Sequence, residues 1–439
     1  MFGLSLNSKN SDFEESFNSF LLKKNSNKNS VKDDVYKIIE SVRDRGDQAV
    51  IDATNQFDDR KILTIDDLKV SKETLHGSLD RIDKKVLEAM HYSFERILNF
   101  HQDQITKIDF TQSDSSITRR ARPIESVAMY IPGGKASYPS TVLMAAGPAK
   151  SAGVNNLFLT TPWPAGSIND LTLAAAYISG VENVYSIGGA QAIAAFGLGT
   201  ESIPKVQKII GPGNQFVAEA KRQLYGEVGI ESIAGPSELV VLADVKSDPK
   251  RVAWDLMAQA EHDELASSIL ISSSKELIKK VSSLIKKEAP LLSRSNIIQK
   301  SLKGRGASIL VETIDQAINF VNQIAPEHVH IVTKDALQDS KNVSNAGLIL
   351  VGEDSANALS DYVLGPSHIL PTSGSAAFSS PLSVEDFIVR SSFVDLGTTF
   401  VPEDYDELVI NTSILARAEG LTAHAISAEI RKKKKEKLV

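Results

Sequence analysis

The chain contains no cysteine among its 439 residues, which excludes thiol catalysis and thiolate ligands for a metal. Any bound metal must therefore be held by histidine, carboxylate or amide groups. The absence of cysteine also fits the reducing cytoplasm, where we predict that the protein resides.

Long apolar runs, a leader segment and net positive charge are missing as well. No apolar run approaches the ~18 residues of a membrane-spanning helix, so no membrane association is expected. The first residues, MFGLSLNSKNSDFEESF, lack the basic and apolar segments of a secretory signal. The formal charge of -7 and the isoelectric point near 5.7 argue against nucleic-acid binding. We interpret the one basic run, RKKKKEK at 431–437, as a solvated terminus.

The remaining pattern is typical of an α/β protein with more than one domain. Apolar residues recur at helical spacing from residue 30 to about 105. From 125 to about 352, short apolar runs such as VAMYI, ELVVLAD and HVHIVTK alternate with helical stretches. This alternation predicts helices packed on largely parallel sheets. Small and polar residues at 371–383 indicate a linker or an active-site loop, and a helical C-terminal appendage follows.

Glycine clusters raise the possibility of a nucleotide site, but none matches a standard motif. IPGGKAS fails the phosphate-loop pattern because Met129 and Ala136 occupy two of its fixed positions. GPGNQF at 211–216 has two glycines of the dinucleotide fingerprint, with Phe216 at the third. Such a strand-to-helix turn offers backbone N–H groups to a phosphate or polar ligand. Asn214 either caps the helix or binds that ligand, and the spacing leaves both open.

Two of the eight histidines follow a glutamate, in QAEH at 259–262 and in APEH at 325–328. Gln259 and His262 lie three residues apart at the predicted end of a helix, where they could hold zinc or serve a structural role. His330 shares a strand face with His328, and it is either a metal ligand or a packed strand residue. Further acids and histidines near loop boundaries are candidates for the same site, namely Asp361, His368, Glu419 and His424.

Several blocks of the sequence resemble the histidinol dehydrogenase family from about residue 30 to 430. They are MYIPGGKASYPSTVLMAAGPAKSAGV, SIGGAQAIAAFGLGTESIPKVQKIIGPGNQFVAEAKRQ, IESIAGPSELVVLAD, QAEH, APEH, GPSHILPT and LTAH. One departure is Glu231, where the family usually has aspartate. The first 25 residues and the basic tail carry no resemblance.

The resemblance implies the oxidation of L-histidinol through the aldehyde to L-histidine, with two NAD⁺ and one water. It also implies one Zn²⁺ per subunit and a homodimer with shared active sites. The implied fold is two incomplete Rossmann-like globules, one inserted in the other, with small terminal segments. We expect residues 1–25 as an N-terminal segment, 26–127 with 238–380 as the metal and catalytic globule, 128–237 as the NAD globule, and 381–439 as a helical tail exchanged in the dimer.

The same resemblance assigns roles to individual residues. The implied zinc ligands are Gln259, His262, Asp361 and His424, and the implied catalytic pair is Glu327 and His328. The substrate contacts are these six residues together with Ser237, His368 and Glu419. The NAD contacts are Tyr130, Gln191 and Asn214. Under this interpretation the QAEH doublet holds the metal and the APEH doublet moves protons.

Two other classes of function compete with the dehydrogenase. A zinc-dependent hydrolase explains the histidine, aspartate and glutamine cluster but gives the GPGN turn no role. A degenerate metal-binding or ligand-binding protein requires loss of the catalytic pair, and both residues are present. The sequence therefore favours the dehydrogenase.

Overall fold

The computed structural model describes residues 2–25, 31–105, 117–133, 138–166, 169–396 and 405–432. The IPGGKAS positions 134–136 and most of the basic terminus therefore lie outside the described residues. The chain divides into two compact units. The core unit contains Met1–Ile105 and Pro123–Phe387, and the tail unit contains Thr106–Arg122 and Ile388–Val439. Each unit is described by itself.

The secondary structure of the described residues alternates between strands and helices along most of the chain. The strands are β1 (Leu4–Asn7), β2 (Ile117–Pro123), β3 (Ser126–Tyr130), β4 (Asn156–Thr160), β5 (Asn183–Tyr185), β6 (Lys208–Ile210), β7 (Gly229–Ile230), β8 (Glu238–Ala243), β9 (Ser267–Ser272), β10 (Ala307–Leu310), β11 (His328–Ile331), β12 (Leu348–Val351) and β13 (Ile388–Val394). The α-helices are α1 (Phe13–Asn25), α2 (Lys32–Arg45), α3 (Asp47–Phe57), α4 (Lys72–Gly77), α5 (Lys84–Ile105), α6 (Pro139–Ala152), α7 (Asp170–Ile178), α8 (Gly189–Leu198), α9 (Gln215–Leu224), α10 (Pro249–Ala260), α11 (Lys275–Glu288), α12 (Ser295–Gly304), α13 (Ile314–Ile324), α14 (Ala336–Ser340), α15 (Asn357–Ser360), α16 (Tyr405–Ala418) and α17 (Thr422–Glu429). None of the helices in these described ranges is both long and apolar enough to span a membrane.

A five-stranded parallel sheet is built from the middle of the core unit, in the order β5-β4-β3-β6-β7. The chain runs outward from β3 through β4 to β5 and then returns to place β6 on the other side of β3. This reversal creates a switch point between β3 and β6, where open α/β sheets usually bind their ligands. The predicted strand-helix alternation is confirmed here.

A six-stranded parallel sheet forms the other half of the core unit, in the order β1-β10-β9-β8-β11-β12. Strands β8 and β9 are buried along their whole length, as expected for parallel strands covered on both faces. The five-stranded sheet lies in sequence between β1 and β8, so it is inserted within the six-stranded one. The predicted α/β class with parallel sheets is confirmed, whereas the exact domain boundaries stay a prediction.

The N-terminal segment belongs to the six-stranded sheet, which the sequence analysis did not foresee. Its strand β1 pairs with β10, and helix α1 covers the same half of the unit. Phe13, Phe17 and Phe20 of α1 are buried, and the first two lie 4.9 and 5.0 Å from the ring of Phe320. Their spacing of four and three residues places them on one helix face, which anchors α1 against the core.

Helix α10 ends at Ala260, so the expectation that His262 closes this helix is wrong by two residues. The Asp263 side chain accepts a hydrogen bond from the Leu265 N–H at 2.9 Å. Such a side-chain turn competes with continuation of the helix. His262 consequently lies in the turn that follows α10.

Candidate active site

The predicted catalytic pair lies at the amino edge of the six-stranded sheet. His328 is the first residue of β11, and its neighbours across the sheet are Leu239 of β8 and Leu348 of β12. Glu327 precedes the strand, and Glu238 opens β8 beside it. All three side chains are buried. Parallel sheets usually place ligand sites at the opposite, carboxyl edge, so sheet topology alone would not have located this site.

The backbone of Glu238 holds both members of the catalytic pair. Its N–H donates to the Glu327 Oε2 at 2.8 Å, and its carbonyl oxygen lies 3.1 Å from the Nδ1 of His328. Because a carbonyl oxygen can only accept, Nδ1 carries the proton and Nε2 has the lone pair. This Nε2 is buried and has no hydrogen-bond partner within the described residues. His328 is therefore a neutral imidazole with an available basic nitrogen.

Burial controls the protonation of both catalytic candidates. It lowers the pKa of His328 to about 3, with nearby His262 and His368 adding to the effect, so the ring stays unprotonated at neutral pH. Burial raises the pKa of Glu327 well above its ordinary range, and the carboxylates of Glu238 and Asp361 act in the same direction. A carboxylate with a raised pKa is a better base near neutrality.

Two of the predicted zinc ligands lie close together within the core unit. The His262 Nε2 lies 3.8 Å from the Asp361 Oδ2, and burial raises the pKa of Asp361 to about 7. Burial and the nearby Arg294 cation lower the pKa of His262, which keeps its nitrogens available to a metal. Within the described part of the chain, no group of three or more His, Cys, Asp or Glu side chains forms a metal site. With Gln259, the predicted ligands of the core unit are one imidazole, one carboxylate and one amide.

The amide of Gln259 completes this set. Its Oε1 accepts from the Asn357 Nδ2 at 3.1 Å, while the Gln259 Nε2 and the Asn357 Oδ1 are buried and have no partner among the described residues. Exchanging oxygen and nitrogen in both amides preserves their mutual hydrogen bond. After the exchange, the Gln259 oxygen occupies the position where the Nε2 had no partner among the described residues. Imidazole, carboxylate and amide oxygen together suit a zinc ion, although amide oxygen is an uncommon ligand.

His368 links this cluster to the inserted half of the core unit. Its Nδ1 donates to the Asp361 backbone carbonyl at 3.0 Å, and its Nε2 accepts from the Thr141 hydroxyl at 3.0 Å. Thr141 belongs to α6, beside the five-stranded sheet. Burial lowers the pKa of His368 to about 4. Ser237, the other substrate candidate here, directly precedes Glu238, and its carbonyl oxygen accepts from the Ser267 N–H at 2.9 Å.

The remaining histidine hypotheses separate in the structure. The His330 Nδ1 lies 2.9 Å from the Asp255 carboxylate, and its Nε2 lies 2.8 Å from the Gly352 carbonyl oxygen. Both ring nitrogens are thus used inside the core, which favours the packing role over the metal role. Glu419 and His424 are exposed in the tail unit, next to and within helix α17. Their predicted roles at the site stay predictions.

The predicted NAD contacts lie at the carboxyl edge of the five-stranded sheet. Tyr130 ends β3, Gln191 lies in the first turn of α8, and Asn214 precedes α9. The Tyr130 hydroxyl accepts from the Gly189 N–H at 3.2 Å, and burial raises its pKa to about 12. The Asn214 Oδ1 accepts from two backbone N–H groups of α9, so the capping alternative is observed. Capping leaves the amide NH₂ group for a ligand, and that role stays a prediction.

The turn after β6 is held by a buried ion pair. The Lys221 Nζ lies 2.7 Å from both carboxylate oxygens of Glu231 and donates to the Gly211 carbonyl at 3.2 Å. The Gly211 N–H donates to Glu231 at 2.8 Å. Gly211 itself has a φ of 106°, and a Cβ there would lie 2.1 Å from the Tyr130 carbonyl oxygen. Only glycine fits this position.

Comparison with known proteins shows the family of the chain. A sequence model of the family described as histidinol dehydrogenase matches residues 21–432. The chain belongs to the histidinol dehydrogenase family. It is 44% identical to histidinol dehydrogenase from Pseudomonas fluorescens over 97% of this chain and 96% of the relative. It is 45% identical to that from Clostridium acetobutylicum over 90% of each chain. The crystal structure of histidinol dehydrogenase from Elizabethkingia anophelis superposes with a TM-score of 0.89 at 29% identity, covering 98% of this chain and 97% of that one.

Three residues that support the site of this histidinol dehydrogenase family member were missed by sequence analysis. Glu238, Asn357 and Lys24 contact predicted site residues or each other. Glu238 carried a signal, because it is a charged residue that directly precedes the apolar run LVVLA. Lys24 and Asn357 carried none, since each sits in an unremarkable polar context.

Proposed function

We propose that this protein oxidises L-histidinol through L-histidinaldehyde to L-histidine, with two NAD⁺ and one water. The histidinol dehydrogenase family, to which the chain belongs, carries out this conversion. The observation that carries the assignment is the buried, unpartnered Nε2 of His328 beside the buried Glu327 carboxyl group. This arrangement supplies two bases of different chemistry at one place.

In the first oxidation, His328 acts as the base. Its Nε2 accepts the hydroxyl proton as the alcohol carbon is oxidised, and the Glu238 carbonyl stabilises the ring through Nδ1–H. NAD⁺ supplies the two-electron acceptor for each of the two oxidations. Burial keeps this histidine neutral in the free protein, so its Nε2 lone pair is available to the hydroxyl proton.

In the second oxidation, water must add to the aldehyde before the carbon can be oxidised again. Glu327 takes a proton from this water, and the water oxygen becomes one oxygen of the product carboxylate. A chain without cysteine cannot form a thiohemiacetal, so the hydrate is the form that is oxidised. Two electrons leave at each oxidation, and the overall products are L-histidine, two NADH and protons.

Zinc would be held by Gln259, His262 and Asp361 of one subunit together with His424, with one ion per subunit. When bound, it would act mainly as a template for the imidazole and amine of the substrate. The fit rests on the Gln259 amide nitrogen that has no partner among the described residues and on an Asp361 carboxylate whose pKa is raised by burial. Ser237, His368 and Glu419 would contact the substrate around this ion.

The cofactor would lie at the switch point of the five-stranded sheet, against Tyr130, Gln191 and Asn214. Support comes from their common position at its carboxyl edge. The protein would act as a homodimer in which the tail of one subunit supplies Glu419 and His424 to the other. A cytoplasmic location and the absence of nucleic-acid and membrane partners complete the proposal.

A stoichiometric assay tests this function. With limiting L-histidinol and excess NAD⁺, the absorbance of NADH should reach two equivalents per substrate, with no free aldehyde detected by a carbonyl reagent. Glu327→Gln should spare reduction of the aldehyde by NADH more than it spares oxidation to the acid. A yield of one NADH per histidinol would refute the two-step reaction. A zinc-dependent hydrolase would instead produce no NADH and would leave the Gly211 turn without a role.

A further inference from the structure

We propose that Lys24 is a positioning residue, whose buried ion pair with Glu238 holds both members of the catalytic pair in their working geometry. The inference rests on the proposed roles of Glu327 and His328. It assigns a part in the reaction to the N-terminal helix α1, which contains none of the predicted site residues.

The ion pair is short and shielded from water. The Lys24 Nζ lies 2.6 Å from the Glu238 Oε1, and the two side chains are 0% and 3% exposed. The same carboxylate oxygen accepts the Ser373 N–H at 3.2 Å. Among the described residues, Lys24 is the one cation within ion-pair distance of Glu238. The charge of the Glu238 carboxylate is therefore compensated chiefly by this lysine.

Glu238 transmits the effect of the ion pair through its backbone. Its N–H holds the Glu327 carboxylate, and its carbonyl oxygen fixes the Nδ1 of His328. Removal of one partner from a buried ion pair leaves an uncompensated charge, which drives the other partner toward water or protonation. Any shift of Glu238 in response moves the two groups that orient the catalytic bases. Lys24 thus controls the geometry of both Glu327 and His328.

Lys24 is itself held firmly in place. Its backbone carbonyl accepts a hydrogen bond from the Arg305 guanidinium at 3.0 Å, at the end of α1. The phenylalanines at the other end of α1 pack into the core beside Phe320. Because both ends of α1 are anchored, the Lys24 ammonium group is held in one position, whereas a surface lysine samples many rotamers.

The central test is Lys24→Met, which keeps the aliphatic stem and removes the charge. We expect kcat to fall by roughly 100-fold, the effect typical of a displacement of about 1 Å in a catalytic group. The KM values for L-histidinol and NAD⁺ and the zinc content should stay close to wild type. Because Glu238 orients both bases, the alcohol and aldehyde oxidations should fall by similar factors. Lys23→Met is the matched control, since its side chain is the exposed neighbour on the same helix and its kcat should be unchanged.

Two further variants separate positioning from simple stability. Lys24→Arg keeps the cation and should retain roughly tenfold more kcat than Lys24→Met. Lys24→Met/Glu238→Gln removes both charges of this ion pair together, so it should fold even if the single variant does not. The kcat of the double variant should stay at least roughly tenfold below that of wild type, at an unchanged KM. The reason is that no ion pair from position 24 then holds the backbone of residue 238 in place. A double variant with wild-type kcat, or a loss confined to KM or zinc content, would overturn the inference.

His328→Ala, measured beside these variants, distinguishes failure of the inference from failure of the proposed function. If His328→Ala retains full turnover, the catalytic assignment is wrong whatever Lys24 does. If His328→Ala is inactive while folded Lys24→Met turns over at the wild-type rate, only the role of Lys24 is refuted.

Discussion

The Nε2 of His262 lies 3.8 Å from the Oδ2 of Asp361, although the two residues come from separate turns of the core unit. His262 also lies close enough to His328 to act on its pKa, so the two Glu-His doublets reach the same region. Under the proposed function, one doublet would provide a ligand to zinc, and the other would provide bases to the substrate.

His262→Asn should abolish zinc binding and activity together, because an amide is a poorer zinc ligand than an imidazole. His328→Ala should keep the zinc and the fold but lose turnover. Metal content measured by mass spectrometry on purified protein, with circular dichroism as the folding control, checks both variants. Loss of zinc from His328→Ala would contradict the separation of roles between the doublets.

The burial of His101 predicts that the stability of the fold depends on pH. His101 is buried in α5, and burial lowers its pKa below the ordinary value of 6.5. Below about pH 6.5 the unfolded chain therefore binds a proton that the folded chain excludes, so the free energy of unfolding falls as the pH falls. His101 should lower the free energy of unfolding by about 1.4 kcal/mol per pH unit, over the range in which the unfolded chain holds this proton and the folded chain does not.

The test is urea unfolding of His101→Gln at several pH values between about 7 and 5. The unfolding free energy of this variant should fall less steeply than that of wild type, because glutamine does not titrate. His91→Gln, at an exposed position of the same helix, is the matched control and should follow wild type. If the unfolding free energies of His101→Gln and wild type fall equally steeply with falling pH, burial of this imidazole does not cause the pH dependence.

Lys221→Met should weaken both stability and cofactor use. The substitution leaves Glu231 buried without its cation, which we expect to cost roughly 3–5 kcal/mol in unfolding free energy. The Gly211 turn loses the ion pair that holds it, so the KM for NAD⁺ should rise more than the KM for L-histidinol. Lys205→Met, an exposed lysine before β6, is the control and should leave both constants unchanged. Equal increases in the two KM values would argue against a local effect at the cofactor turn.

The predicted exchange of tails can be tested with two inactive variants, His262→Asn and His424→Asn. When the two are refolded together, some dimers contain one chain of each kind. If the tails cross, one site of each mixed dimer carries both defects and the other carries neither. Random pairing gives about half mixed dimers, so about a quarter of all sites should regain activity. Differently tagged chains verify that mixed dimers have formed. If these mixed dimers remain inactive, the exchange of tails is ruled out.

The sequence determined the class of the fold and the family, and it predicted the candidate residues of the site. Strand-helix alternation is a local property of the chain, and it predicted β3 to β6 and β8 to β12 with their helices because burial on both faces of a parallel sheet requires apolar runs. The absence of cysteine limited the ligands and nucleophiles to histidine, carboxylate and amide groups. The resemblance of the APEH and QAEH blocks to a known family then gave each doublet a role.

Only the tertiary structure revealed how the catalytic pair is held. Strand order places Glu238 of β8 beside Glu327 and His328, and no local pattern encodes which parallel strands become neighbours. Lys24 reaches Glu238 because β1 adds to the far side of the same sheet and α1 packs behind it. A buried ion pair of this kind depends on the exclusion of water by many distant side chains. That exclusion is a property of the folded core rather than of any segment of the sequence.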